Sequence, residues 1–136
     1  MAKLTKILVA DDSLAARRGI LSILAQRDDW VVCGQAADGQ EAVEMAQASC
    51  PDVAVLDISM PRKNGIQAAK ELMQSCPNII VVSQSFHEID PLIEELKKIG
   101  VKAFVPKAQL YSELVPAIEA VLKGQTVFPP LRNAHA

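Results

Sequence analysis

Shortages narrow the function of this chain before any motif is read. Charge of one sign is scarce: 14 Lys and Arg against 16 Asp and Glu leave a formal −2 over 136 residues. With a pI near 5.6 there is no cationic footprint for nucleic acid, so direct DNA contact by this domain is not expected. Half the residues are apolar, which excludes a disordered chain. Yet no apolar run approaches the roughly 20 residues that a bilayer span needs. The start, Met1-Ala2-Lys3-Leu4-Thr5-Lys6, leads into a strand without an apolar signal segment. Cys33, Cys50 and Cys76 are odd in number, far apart and without metal spacing, so neither a disulfide framework nor a zinc site is expected. These features point to a cytoplasmic protein with reduced thiols. At this length one domain can bury a single good core.

Within those bounds the chain alternates short apolar runs with helical periodicity. Runs at 7–10, 31–36, 53–56, 79–82 and 102–105 are rich in Val and Ile, as strands of a parallel sheet covered on both faces are. The first helix carries a stripe of Ala16, Ile20, Ile23 and Leu24. Asp38-Gly39 opens a second helix with Ala42, Val43 and Ala46 inward. Asn64-Gly65 opens a third with Ile66, Ala69 and Leu72-Met73 inward. Asp90 as N-cap, Pro91 at the first helical position and Gly100 as the stop frame a fourth. Its stripe of Leu92, Ile93, Leu96 and Ile99 could be core or could reach a partner.

Pro116 argues that the fifth helix starts no earlier than Ser112; it runs to about Leu122, with Leu114, Ile118, Val121 and Leu122 inward. Trp30 stands just before the second strand, at the end away from the candidate site. An echo, Ser49-Cys50-Pro51-Asp52 against Ser75-Cys76-Pro77-Asn78, places Asp57 and Ser83 at matching heights on two strands. The alternation implies a doubly wound α/β sandwich, whose ligands sit beyond the carboxyl ends of its strands.

On that edge the polar residues collect: Asp11-Asp12 after the first run, Asp57 after the third, Ser83 after the fourth and Lys107 after the fifth. Buried there, such groups cost several kcal/mol unless paired or metal-bound. Asp11, Asp12 and Asp57 held together and ionised would repel one another. Protonation or a hard divalent cation relieves this, and Mg²⁺ suits a carboxylate set lacking His and Cys. Beside a metal and a cation, a strand-end carboxylate such as Asp57 can attack a phosphoryl group. Lys107 and Mg²⁺ would offset charge on the equatorial oxygens, and Ser83 can donate a hydrogen bond to one of them.

The combination of Asp11-Asp12, Asp57-x-x-Met60-Pro61-x-x-Asn64-Gly65, Ser83, and Lys107 after Phe104 resembles the receiver domain of two-component response regulators over roughly residues 5–123. The resemblance implies a flavodoxin-like five-stranded parallel sheet of order 2-1-3-4-5 with five helices, a receiver domain over 1–123, and a linker or C-terminal tail over 124–136. It implies that Asp57 accepts a phosphoryl group from a sensor histidine kinase or phosphotransfer protein. Asp12 and Asp57 would ligate Mg²⁺, with the Ser59 backbone carbonyl as third protein ligand and Asp11 acting through water. Ser83 and Phe104 would be the switch residues, Phe104 turning inward after Ser83 moves; the alternative for Phe104 is a plain core residue. Ser59 and Ser85 occupy positions that tune aspartyl-phosphate lifetime.

Lys107-Ala108, where many receivers have Lys-Pro, together with Arg17-x-Gly19 and Leu122-x-x-Gly124-x-x-x-Phe128, is similar to NarL/FixJ-type transcription factors. No helix-turn-helix follows within these residues. Output would then be homodimerisation, a partner protein or a DNA-binding domain elsewhere, and the domain would not be an enzyme beyond its self-catalysed phosphorylation and dephosphorylation. Two rivals stand beside this. A Mg²⁺-dependent phosphohydrolase would want a second acid where Ser59 stands. A degenerate receiver, binding partners without phosphorylation, would not need the intact acidic cluster.

Overall fold

Strong strand formers at the five apolar runs build the sheet. The computed structural model describes residues 4–58, 65–83 and 89–129. In chain order it contains β1 (Thr5–Ala10), α1 (Leu14–Leu24), β2 (Trp30–Ala36), α2 (Gly39–Ser49), β3 (Val53–Asp57), α3 (Gly65–Leu72), β4 (Asn78–Ser83), α4 (Ile89–Ile99), β5 (Ala103–Pro106) and α5 (Leu110–Leu122). The strands are parallel and ordered β2-β1-β3-β4-β5, so the chain reverses its winding beside β1 and β3. That reversal is where such sheets open a crevice.

Strand alternation sorts the core into two layers. Leu8, Ala54, Leu56, Ile79, Val81 and Phe104 face α2, α3 and α4, meeting Ala42, Val43, Ala46, Ala68, Ala69, Leu72, Ile93 and Leu96. Their neighbours Ile7, Val9, Val53, Val55, Ile80, Val82 and Val105 face α1 and α5, meeting Ile20, Ile23, Leu24, Leu114, Ile118 and Val121. Full burial of each large aliphatic side chain contributes about 1.5–3 kcal/mol. In α4, Ile93 and Leu96 are core, while Leu92 and Ile99 are half-buried against it.

Local signals set most element ends. Ser13 caps α1 by accepting from the Ala16 N–H at 3.1 Å, and Asp38 caps α2 by accepting from the Glu41 N–H at 2.8 Å. Several ends differ from the sequence expectation. Trp30 is the first residue of β2 rather than lying before it. The helix α4 begins at Ile89, so Asp90 is inside its first turn and Pro91 is third rather than first. A proline there still loses no intrahelical bond, because first-turn N–H groups have none.

The helix α5 begins at Leu110, two residues before the expected limit, because a 3₁₀ turn over Lys107–Gln109 delivers the chain already in helical geometry. Pro116 therefore sits inside α5, where the Ser112 carbonyl goes without its intrahelical donor. Leu122 is not inward but 40 % exposed. The echo misplaced one height: Val53 pairs with Asn78 and Asp57 with Val82, so Ser83 lies one residue further along its strand.

After α5, Gly124 takes φ +86 and its N–H reaches the Val121 carbonyl at 3.0 Å, while the Gln125 N–H reaches Ala120 at 3.0 Å. This glycine-dependent reversal turns the chain back along the sheet edge. There the Phe104 N–H donates to Val127 and the Val127 N–H to Lys102, both at 2.9 Å. Phe128 packs on the α4 side, with Lys97 Nζ 5.1 Å from its ring centre. The first residues of the expected tail thus cover the free edge of β5; residues 130–136 lie outside the described residues.

Two outcomes are expected. A Cβ added at Gly65 would lie 2.4 Å from both the Cα and the carbonyl oxygen of Ile58, so only glycine fits. Gly65→Ala should lower unfolding free energy by about 1–3 kcal/mol in urea titrations, the usual cost of overpacking. Burial pushes the Cys76 thiol up to about 11, whereas Cys50 is exposed. A thiol reagent at pH 8 should therefore label Cys50 in the native protein and Cys76 only after unfolding.

Candidate functional site

The carboxyl ends of β1, β3 and β5 bring three acids and one lysine together. Asp11 follows β1 and is 0 % exposed; Asp57 ends β3 and is 1 % exposed; Asp12, next to Asp11, is exposed. One carboxylate oxygen from each lies within 4.8 Å of the others. Lys107 is the first residue of the 3₁₀ turn after β5. Its Nζ stands 2.8 Å from Asp11 Oδ2 and 3.3 Å from Asp57 Oδ2.

The loop carrying the acid pair is fixed at several points. The Asp11 N–H donates to the Ala36 carbonyl at 3.0 Å, and Asp11 Oδ1 accepts from the Ser13 N–H at 2.9 Å. From α1, Arg17 Nη1 donates to the Asp11 carbonyl at 2.6 Å. Behind Asp57, the Ile58 N–H donates to Val82, and the Gly65 N–H to the Ile58 carbonyl, both at 3.1 Å. Ser83, 3 % exposed, ends β4 and pairs in register with Pro106 beside Lys107. Pro106 holds an extended backbone at ψ 139 at the N-cap position of the turn, without a capping side-chain hydrogen bond, and no cis peptide occurs among the described residues. The Lys107-Ala108 departure is accommodated in this way.

Among the described residues, three carboxylates and one ammonium leave a formal charge of −2. Burial alone would lower the Lys107 ammonium, but the close Asp11 carboxylate and the charge of Asp57 outweigh it and hold the group above its ordinary value of 10.5. The residual −2 and an all-oxygen donor set fit a hard divalent cation, so Asp11, Asp12 and Asp57 can hold Mg²⁺.

Phe104 is already in the core at 2 % exposure, on the α4 side of the sheet. Its ring lies inward, packed against the α4 layer. Ser59, Met60, Pro61, Asn64 and Ser85 lie outside the described residues. In the sequence Arg17 marks only the family resemblance and carries no site role. A physical signal was available: a cation in the first turn of a helix opposes the macrodipole, so it needs a local acceptor.

A sequence model described as "Response regulator receiver domain" matches residues 7–119. The chain belongs to the response regulator receiver domain family.

The chain is 36% identical over 125 residues to the response regulator GacA of Pseudomonas syringae pv. syringae, covering 92% of this chain and 58% of that protein. It is 32% identical over 123 residues to the transcriptional regulatory protein YxjL of Bacillus subtilis, covering 90% and 56%. It spans little more than half the length of these relatives. Among solved structures, the response regulator domain of CheB from Thermotoga maritima aligns at TM-score 0.81 and 33% identity over 89% of this chain and 98% of that one. The signal receiver domain of NarL from Mycobacterium tuberculosis aligns at 0.82 and 27%, over 90% and 99%. Phosphorylation, an acidic pocket for Mg²⁺ and interaction with histidine kinases are general features of receiver domains, which are not enzymes in the usual sense. No helix among the described residues is long and apolar enough to cross a membrane.

The receiver's lysine gives a test. Lys107→Met leaves two buried carboxylates without their nearest cation, so in metal-free buffer the urea-unfolding free energy should fall by about 3 kcal/mol. A raised lysine contributes stability fully below its unfolded value and loses it as pH climbs through the folded one. Wild-type stability should therefore show a Lys107-dependent decline only above about pH 10.5, and Lys107→Met should lack that component.

Proposed function

We propose that this receiver takes a phosphoryl group on Asp57 from the phosphohistidine of a sensor kinase or phosphotransfer protein, and that the modified state changes its contacts with an output partner. The observation that carries this reading is Lys107 Nζ 3.3 Å from Asp57 Oδ2, beside the Asp11 and Asp12 carboxylates. One Asp57 oxygen would attack phosphorus while the P–N bond breaks, the imidazole nitrogen leaving with the electron pair. Mg²⁺, held by Asp12 and Asp57 with Asp11 through water and the Ser59 carbonyl, would supply charge stabilisation to the phosphoryl oxygens.

Asp57 is 1 % exposed, so the carboxylate is poorly solvated and its reacting oxygen is aimed by the strand end rather than by water. The Lys107 ammonium can follow the charge from the Asp57 carboxylate to the phosphoryl oxygens. Ser83, at the neighbouring strand end, would donate its hydroxyl to one of them. That movement would bias β4 and the elements next to it. Phe104, its ring inward between β5 and α4, would be the second switch residue and would follow Ser83. A cytoplasmic setting, homodimerisation, and transcriptional output through a DNA-binding domain are consistent with the relatives. With residues 1–123 as the receiver, the segment 124–136 would lead toward that output.

Intact-mass analysis after incubation with acetyl phosphate should show one phosphoryl increment that requires Mg²⁺ and is absent in Asp57→Ala. No increment in the wild type, with beryllofluoride binding also absent, would replace this reading with a receiver that binds partners without phosphorylation.

A further inference from the structure

Arg17 is held in place at a cost. As the fourth residue of α1 it puts a cation at the positive end of the helix dipole. Its Nε is buried without a hydrogen-bond partner among the described residues, a further penalty. The guanidinium nevertheless turns back to the site, where Nη1 donates to the Asp11 carbonyl at 2.6 Å, a short charge-assisted bond.

That carbonyl belongs to the peptide unit joining Asp11 to Asp12. The Asp11 side chain is secured independently by the Ser13 N–H and Lys107. Asp12 is not: it is exposed, and it makes no hydrogen bond or ion pair with the described residues. The direction of its Cα–Cβ bond depends on the orientation of the peptide plane that precedes it, together with φ at Asp12. Among the described residues, the Arg17 guanidinium is the group bonded to the carbonyl of that plane.

We propose that Arg17 is a positioning residue for the divalent-cation site, acting through the Asp11–Asp12 peptide to aim the Asp12 carboxylate at the metal. The proposal rests on the reading of the acidic cluster as a Mg²⁺ site. An opposing effect makes the sign informative. A guanidinium bonded to the Asp11 carbonyl also repels a divalent cation bound beyond it, so if charge alone mattered, removing Arg17 would tighten metal binding.

The test is metal affinity on the full 136-residue chain, by Mn²⁺ electron paramagnetic resonance and Mg²⁺ calorimetry, for wild type, Arg17→Ala, Arg17→Gln and Asp12→Ala. Arg17→Ala should weaken binding about tenfold, as expected for one charge-assisted hydrogen bond. Arg17→Gln, which keeps a donor without the charge, should fall between Ala and wild type, and serves alone if Arg17→Ala does not fold. Half-saturating Mg²⁺ for phosphorylation by acetyl phosphate should rise by the same factor, while the rate at saturating Mg²⁺ stays within about twofold. Unchanged or tighter binding in the Arg17 variants, with Asp12→Ala impaired, would overturn the positioning role while leaving the metal site intact. An equal fall of the saturated rate and the affinity would overturn it in favour of general disruption. A wild type that binds neither ion would overturn the metal site and Arg17's role together.

Discussion

Holding three carboxylates within 4.8 Å of one another is the constraint on which this domain depends. Coulomb repulsion between ionised carboxylates at such range is worth several kcal/mol at a partly buried site. Among the described residues one ammonium, Lys107, meets two of them, which leaves these groups two charges short of neutral. The fold tolerates this only because the acids are anchored by rigid strands on a fully packed sheet. That same shortage makes the site receptive to a divalent cation and then to a phosphoryl group. Stability given up at the strand ends is what makes the site responsive.

The scaffold supplies the rigidity from plain materials. Aliphatic alternation along five strands buries both faces, and the strand order places β1 and β3 side by side at the reversal of winding. Remote from the site, Arg27 ties the opposite end of the sheet together. It pairs with Asp29 at 3.1 Å and with Glu119 of α5, and its guanidinium lies 4.5 Å from the Trp30 ring centre. These bonds draw the Asp29 carboxyl below its ordinary value and raise the guanidinium. Trp30 therefore reports on that end rather than on the acidic cluster. At the β5 edge, Val127 satisfies backbone groups that would otherwise be open to another chain.

What was legible in the sequence was whatever depends on side-chain type at a strand end. Asp11, Asp12, Asp57, Ser83 and Lys107 stand out because polar groups follow apolar runs, and the sheet order came with the family resemblance. What escaped depends on backbone geometry between elements. The sequence echo shifts Ser83 by one residue because register is set by strand pairing, not by matching landmarks. Pro116 suggested a late start for α5, but the preceding 3₁₀ turn had already committed the chain to helix. Docking of Val127 and Phe128 follows from the Gly124 reversal, which composition alone reads as a linker. Phe104 reads in one dimension as a switch residue or as a core residue, and its ring lies inward at 2 % exposure.

The most direct test of the charge-crowding account is thermal unfolding of wild type and Asp12→Asn in chelator and in saturating Mg²⁺. The account predicts that Mg²⁺ raises the wild-type Tm, that Asp12→Asn is already more stable than wild type in chelator, and that Mg²⁺ adds little to it. A wild-type Tm indifferent to Mg²⁺, with Asp12→Asn less stable than wild type in chelator, would contradict it: the acids would then be satisfied by the protein itself.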